Sequence, residues 1–425
     1  MKIVKRIMKS NFIKGVLVLV GGTTFSQVLN VILSPIITRI YSPEQFGMLT
    51  LYTAIIGIIA VGSFKYELAI PLADSEKKAA NIILMCIILL SLFTLITLFV
   101  LLIINYFFHD AIKLDQFIWL IPLGVFSLGI YQIFKQWTFR LKEFKNLSRS
   151  IIFQNIIGNL VKVLGGFIGL GGSGLILGHI VGQSLGVSQL TKSLFTRKQL
   201  INCLNKRTIF WSIKRYNQFP LYSVPIHLLT SVGRHLPIIF ITFFYGSQVV
   251  GLYGLAYSVV RLPMTLVGQA IGNVFFAEAA AIGRKNVERI KSLSNRLVIR
   301  LALIGILPSI LLILFGPQLF SIVFGDSWFE SGKYASIATI MSFFMLIFAP
   351  VSRIYEVYEK QKLKLVIDII RIILICIVFG LSWFFELNSY LAILMYSIVV
   401  SAIHFVIYIF AQRIMNSLIR SSSQS

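Results

Sequence analysis

Apolar positions along this chain arrive in long runs, and most polar residues gather in the short stretches between them. A helix needs about 20 mostly apolar residues to cross a hydrocarbon core, and a window of about 19 residues resolves about twelve such predicted spans. The first six fall at approximately 15–38, 46–70, 79–105, 116–137, 151–170 and 173–190. The second six fall at approximately 219–244, 249–276, 297–323, 334–355, 364–385 and 389–411. The fifth and sixth are separated only by GLGGSG (169–174), the least distinct of the boundaries. Membrane strands would have to close into a barrel and would alternate over about ten residues, which these unbroken runs do not do. The predicted fold class is an all-α integral membrane protein.

The spans divide into two sets of six. Residues 1–190 form a predicted N-terminal six-helix lobe, 191–217 a basic cytoplasmic amphipathic linker, and 218–425 a C-terminal six-helix lobe. Within the linker Leu200, Ile201, Leu204, Ile209, Phe210 and Trp211 interleave with cations, the pattern of a helix lying on the inner leaflet. An acidic partner protein is the competing reading of that segment. The lobes also look like repeats. Span 2 opens PEQFGMLTLYTAIIG (43–57) and span 8 SQVVGLYGLAYSVVR (247–261), while WTFRLKEFKN (137–146) and RIYEVYEKQK (353–362) follow spans 4 and 10. Matched halves around a central cavity are a transporter architecture.

Composition agrees with a membrane location: 57% of residues are hydrophobic, 13% are charged and mean hydropathy is +0.86. A net charge of +24 would point to nucleic acid in a soluble protein. Here the cations fall on one side of the bundle, in the N-terminal tail and the 4/5, 6/7 and 8/9 loops, while the other side carries only Arg39, Lys113 and Lys333. That asymmetry predicts both termini in the cytoplasm and no nucleic-acid partner. The opening MKIVKRIMKSNFIKGVLVLVGG imitates a signal peptide, but its apolar stretch runs on through FSQVLNVILSPIITRI and is read as the first span. Cys86, Cys203 and Cys376 have no metal or redox spacing.

Charges inside spans carry more information, because each is costly and needs a partner or a purpose. Arg353 and Glu356, and Asp368 and Arg371, sit i,i+3 and can neutralise each other on one helix face, and Arg300 can snorkel to the boundary. Lys162, Arg234 and Arg261 have no acid at i±3 or i±4. At 1.5 Å per residue Lys162 and Arg261 each lie ~16 Å inside their spans, near the midplane. The neighbours of these cations form polar stripes: Asn155, Asn159 and Lys162 on span 5; His227, Thr230 and Arg234 on span 7; Tyr257, Arg261 and Thr265 on span 8. Span 1 adds Thr23, Gln27, Asn30 and Ser34. Four such stripes describe the wall of a wet, cationic cavity suited to an anionic ligand; polar glue between packed helices is the competing reading for the Asn and Thr members.

Lys65 and Glu67 are i,i+2, so on one continuous helix they point to different sides and cannot satisfy each other. Glu67, Lys65 and Asp368 are candidates for coupling transport to a proton or sodium gradient. Pro35, Pro122, Pro225, Pro237, Pro263, Pro308 and Pro350 fall in or near spans; Pro263, two residues after Arg261, is a hinge candidate. The histidines lack ligand spacing, and no phosphate-binding glycine loop is present, so no metal site, no cofactor, no catalytic constellation and no ATP hydrolysis by this chain are expected.

The stretches FSQVLNVILSPIITRIYSPEQFGMLTLYTAIIGIIAVGSFKYELAIPLA (25–73) and YNQFPLYSVPIHLLTSVGRHLPIIFITFFYGSQVVGLYGLAYSVVRLPMTLVGQAIGNVFF (216–276) resemble the bacterial polysaccharide-transporter family of O-antigen and capsule flippases (Wzx type). That family lies within the multidrug/oligosaccharidyl-lipid/polysaccharide (MOP) exporter superfamily. The resemblance implies two six-helix lobes around a cationic cavity, alternating access, and turning of an undecaprenyl-diphosphate-linked oligosaccharide from the inner to the outer leaflet of the bacterial cytoplasmic membrane. Arg261, Lys162 and Arg234 would then hold the diphosphate or acidic sugars, and a polysaccharide polymerase and chain-length proteins are expected partners beside the bilayer itself. Two other classes stay open. A cation-coupled drug exporter of the same superfamily would carry more carboxylates in its cavity, and a membrane polymerase or ligase would need a large outer loop.

Overall fold

The computed structural model describes residues 11–108, 119–195, 205–262, 264–283 and 286–423, and the regular structure among them is entirely helical. The chain forms two compact units, Met1–Leu236 and Pro237–Ser425. The first holds α1 (Asn11–Ile40), α2 (Pro43–Ile59), a 3-10 turn (Tyr66–Leu72), α3 (Glu76–Phe108), α4 (Ile121–Arg140), α5 (Phe144–Phe167), α6 (Gly172–Phe195), α7 (Lys206–Arg215) and the start of α8 (Val224–Val260). The second holds the rest of α8, α9 (Gln269–Ile282), α10 (Val287–Phe324), α11 (Phe329–Phe348), the short α12 (Ile354–Val357), α13 (Gln361–Phe384) and α14 (Ser389–Ser423).

Each of the twelve predicted spans overlaps a helix, but only eight helical stretches among the described residues are long and apolar enough to cross a membrane on that basis alone. Part of the shortfall has a packing reason. α4 buries Val125, Ser127, Tyr131, Phe134, Trp137 and Thr138 against its own unit, so much of its surface never meets lipid and need not be strongly hydrophobic. Helices with a wide outward face, α3 and α10, instead carry continuous exposed leucine, isoleucine and phenylalanine. Predicted span seven and the first part of span eight lie on one stretch, α8, whose backbone leaves helical geometry at Gly246 (φ 85°, ψ 175°), and the rest of span eight runs past Val260 into α9. That conformation is open only to glycine, and it splits a helix otherwise too long for one crossing.

Local signals explain several boundaries. In YSPEQ, Ser42 accepts from the Gln45 backbone at 3.4 Å while Gln45 Oε1 accepts from the Ser42 backbone at 3.1 Å, a capping box that starts α2 with Pro43 in its first turn. The prolines divide by role. Pro35, Pro237 and Pro308 lie inside helices, whereas Pro122 and Pro225 start them and Pro350 opens the 3-10 turn after α11. Pro263 lies outside the described residues. The 3-10 turn Tyr66–Leu72 is closed by Arg140, whose Nη1 donates to the carbonyls of Ile70 (3.1 Å), Pro71 (3.3 Å) and Ala73 (2.6 Å).

The tightest helix pairs are built on glycine. α6 carries Gly174, Gly178, Gly182 and Gly186 at a spacing of four, one face of a helix, and α5 opposes them with Gly158 and Gly165. A Cβ on Gly178 would come within 2.7 Å of the Gly158 carbonyl oxygen and 2.9 Å of the Lys162 backbone nitrogen. In the second unit a Cβ on Gly332 of α11 would come within 2.3 Å of the Gly316 oxygen on α10. Small residues let helix backbones approach where no water-driven burial is available to hold them.

Candidate functional site

In the second unit Arg261 follows the last turn of α8, its backbone nitrogen donating to Tyr257 at 3.0 Å. Its guanidinium lies 5.5 Å from the Tyr257 ring centroid, a cation–π contact, and Nε is buried with no protein acceptor. Tyr257 stacks on Tyr253 at 5.6 Å. Tyr396 of α14 lies close to Tyr253 and in the field of both Arg261 and Arg371. Arg371 Nη2 pairs with Asp368 at 3.2 Å, yet its Nε is also buried and without a protein acceptor. His404, one turn from Val400, to whose carbonyl its Nδ1 lies at 2.8 Å, is in the field of Arg371 and Asp368. A buried N–H left without an acceptor costs about 1–3 kcal/mol. Two guanidinium groups in that condition stand around one tyrosine cluster, each with an N–H that the protein leaves without an acceptor.

Arg261, Tyr257 and Asp368 thus fall together. Arg371, Tyr253 and Tyr396 are the members that sequence reading missed. Arg371 read as spent on Asp368 because i,i+3 spacing predicts that pair, which does form. Arg353 and Glu356 also pair as spaced, at 2.9 Å.

The first unit holds two polar groups. Asn30 of α1 donates to Asn155 Oδ1 at 2.7 Å, and Asn159 donates to Asn30 Oδ1 at 2.7 Å, clamping α1 to α5. Thr23 and Ser34 spend their hydroxyls on carbonyls of their own helix, Val20 and Val31, and Gln27 is half-buried on α1. For the asparagines the geometry is that of polar glue between helices. One turn beyond Asn159, Lys162 is half-buried on α5 in the field of His179, whose ring meets Tyr52 edge-on at 6.1 Å and Gln183 at 3.1 Å. Tyr52 Oη and Gln183 Oε1 are buried without partners.

The second group corrects the reading of Lys65 and Glu67. α2 ends at Ile59, Phe64 and Lys65 take left-handed backbone (φ 50° and 61°), and the 3-10 turn follows. Opposite-side projection at i,i+2 holds only on a continuous helix, and none runs through these residues. Lys65 Nζ lies 3.7 Å from Glu67 Oε1 and donates to the Ala60 carbonyl at 3.2 Å, while Ser63 donates to Glu67 Oε2 at 2.5 Å. Glu67 is buried. Two non-glycine residues in left-handed backbone cost about 1–2 kcal/mol each, so the turn is held by what surrounds it. Close by, His227 lies 3.3 Å from Ser231 and feels Lys65, Arg234 and His235; Arg234 itself is exposed.

Long apolar helices with lipid-compatible outer faces, and half-buried cations inside each unit, describe a multi-pass membrane protein. The chain belongs to the polysaccharide biosynthesis protein family, whose model (Polysacc_synt_3) matches residues 36–333. An uncharacterized membrane protein in the cps region of Klebsiella pneumoniae is 21% identical over 344 residues, 80% of this chain and 70% of that protein. The fold is that of the MOP superfamily. The inward-facing conformation of a multidrug resistance MATE family transporter aligns over 95% of both chains with TM-score 0.68 and 16% identity. A MOP superfamily transporter from Pyrococcus furiosus Vc1, described by the reverse polarity of its binding pocket, aligns over 97% of this chain and 98% of its own with TM-score 0.60 and 15% identity.

Proposed function

We propose that this protein is a flippase that moves undecaprenyl-diphosphate-linked oligosaccharide repeat units from the inner to the outer leaflet of the cytoplasmic membrane by alternating access, for O-antigen or capsule assembly. The observation that carries this reading is the charge inside the units. Arg261 and Arg371 have guanidinium N–H groups with no protein acceptor, and Lys162 is a further, half-buried cation with no acid at i±3 or i±4. A diphosphate offers acceptors to such guanidinium groups through charge-assisted hydrogen bonds, strengthened where water is excluded. Membership of a polysaccharide biosynthesis family supports a sugar-bearing substrate, and a relative in a cps region supports surface polymer as the product. Lys65, Glu67 and Asp368 are proposed to couple the cycle to a proton or sodium gradient, with both termini in the cytoplasm and a polymerase and chain-length proteins as downstream partners.

The reading predicts the phenotype of cells that lack the gene. Surface polysaccharide falls, lipid-linked repeat unit accumulates with its sugar on the cytoplasmic side, and sensitivity to cationic drugs does not change. Drug sensitivity with normal polymer would transfer the protein to the drug-exporter class instead.

A further inference from the structure

One feature outside these charged groups is the short helix α7 and what it leaves uncovered. Its inner side is anchored: Ser212 is buried, Ile209 and Ile213 pack on the first unit's core, and Tyr66 Oη donates to the Ile213 carbonyl at 3.3 Å. Its first end is pinned to α3, where the Asn205 backbone donates to Asn81 Oδ1 at 2.8 Å and Lys78 Nζ sits 4.6 Å over the Trp211 ring. Those anchors fix its depth. α3 begins EKKAAN and carries no charged residue from Ile82 to Phe108, so the residues that hold α7 are the ones at which charged sequence gives way to membrane span.

The outer side of α7 consists of two rows at helical spacing, Lys206, Phe210, Lys214 and Arg207, Trp211, Arg215, each a cation, an aromatic ring and a cation. Phe210 is 61% and Trp211 40% exposed, and Lys214 Nζ lies 5.1 Å from the Phe210 ring. From 205 to 215 there is no acid. Asp74 is the acid in reach; it is bonded by Lys78 at 2.7 Å, which holds its carboxyl below the ordinary carboxylate range. Two exposed rings would be a liability in water and are at home at a membrane boundary, where aromatic side chains sit at headgroup level and lysine and arginine reach for phosphates.

We propose that this face of α7 is a docking surface for anionic lipid headgroups of the cytoplasmic leaflet, holding the segment between the six-span halves against the membrane surface. Four cations spread along one short helix match a sheet of phosphates better than a single headgroup, which is why the bilayer and not the lipid-linked substrate is the occupant. An acidic soluble protein would match the charge but not the two rings at that depth.

The full-length chain in nanodiscs of phosphatidylcholine, alone or mixed with phosphatidylglycerol, tests this by amide hydrogen exchange. Exchange across 206–216 should slow about ten-fold in the anionic discs, and raised salt should remove the difference. A variant with Lys206→Gln, Arg207→Gln, Lys214→Gln and Arg215→Gln should lose it, and Phe210→Ser with Trp211→Ser should exchange fast in both lipids. Equal exchange of the wild-type chain in the two lipids overturns the proposal whether or not any variant folds. Protection that appears only after an acidic soluble protein is added overturns it too.

Discussion

Replacing Arg261 with alanine is expected to cut polysaccharide export about ten- to a hundred-fold while leaving the amount of folded protein near wild type. The size follows from losing one charged hydrogen-bonding partner of the substrate, about 1.5–3 kcal/mol. The sparing of stability follows from its surroundings: Arg261 Nε makes no hydrogen bond inside the protein, and its cation–π contact with Tyr257 contributes about 0.5–1 kcal/mol. Arg261→Lys should keep part of the activity, because the charge remains while the planar fork is lost. Arg371→Gln should resemble Arg261→Ala in export but fold less well, since it leaves Asp368 without the partner now at 3.2 Å. Export measured as surface polymer, normalised to protein level in the membrane, separates these outcomes. Normal export by a well-expressed Arg261→Ala chain would make this cation structural.

The second large effect is expected at glycines. Gly178→Val and Gly332→Val should each remove about 3 kcal/mol or more of stability, seen as loss of folded protein and a lower melting temperature in detergent. The reason is backbone, not side chain. A Cβ at Gly178 meets the Gly158 oxygen at 2.7 Å, and one at Gly332 meets the Gly316 oxygen and Pro317 Cα at 2.3 Å, so neither helix pair can relax by turning a rotamer. Gly380 on α13 supplies the contrast, because a Cβ there has nothing within 4 Å. Gly380→Ala should be neutral or stabilise by up to about 1 kcal/mol, since alanine gives up less backbone freedom in a helix. Equal melting temperatures for Gly178→Val and Gly380→Ala would show that the close α5–α6 approach is not a source of stability.

Spans were legible in the sequence because a lipid-facing helix has to be long and apolar, and α3, α10 and α13 are both. Helices sheltered inside a unit, such as α4, were legible by length but only weakly by hydropathy, because protein covers them. The polar stripes on spans 1, 5 and 8 were legible as stripes, whereas their partners were not. Asn30, Asn155 and Asn159 spend themselves on one another, and Arg261 does not, yet periodicity describes both alike. Lys65 and Glu67 read as opposed because hydropathy carried span 2 past Ile59, although Gly62 and Ser63 mark the break. The four-residue spacing of glycines from 174 to 186 is plain in the sequence, but a hydropathy window passes over it, since glycine scores near neutral whether it packs a backbone or faces lipid. Arg371 was legible as a partner of Asp368; its second neighbour, Tyr396, comes from another helix and leaves no local signal.

The most direct test of the central claim uses the purified chain in proteoliposomes that carry a fluorescent undecaprenyl-diphosphate oligosaccharide in both leaflets. A membrane-impermeant reductant bleaches only the outer leaflet of protein-free vesicles. With the protein present, and an ion gradient imposed, the inner-leaflet fraction should become accessible, and Arg261→Ala should slow that step. If the inner fraction stays protected with folded wild-type protein while the same vesicles move a cationic drug, the chain is not a lipid-linked oligosaccharide flippase.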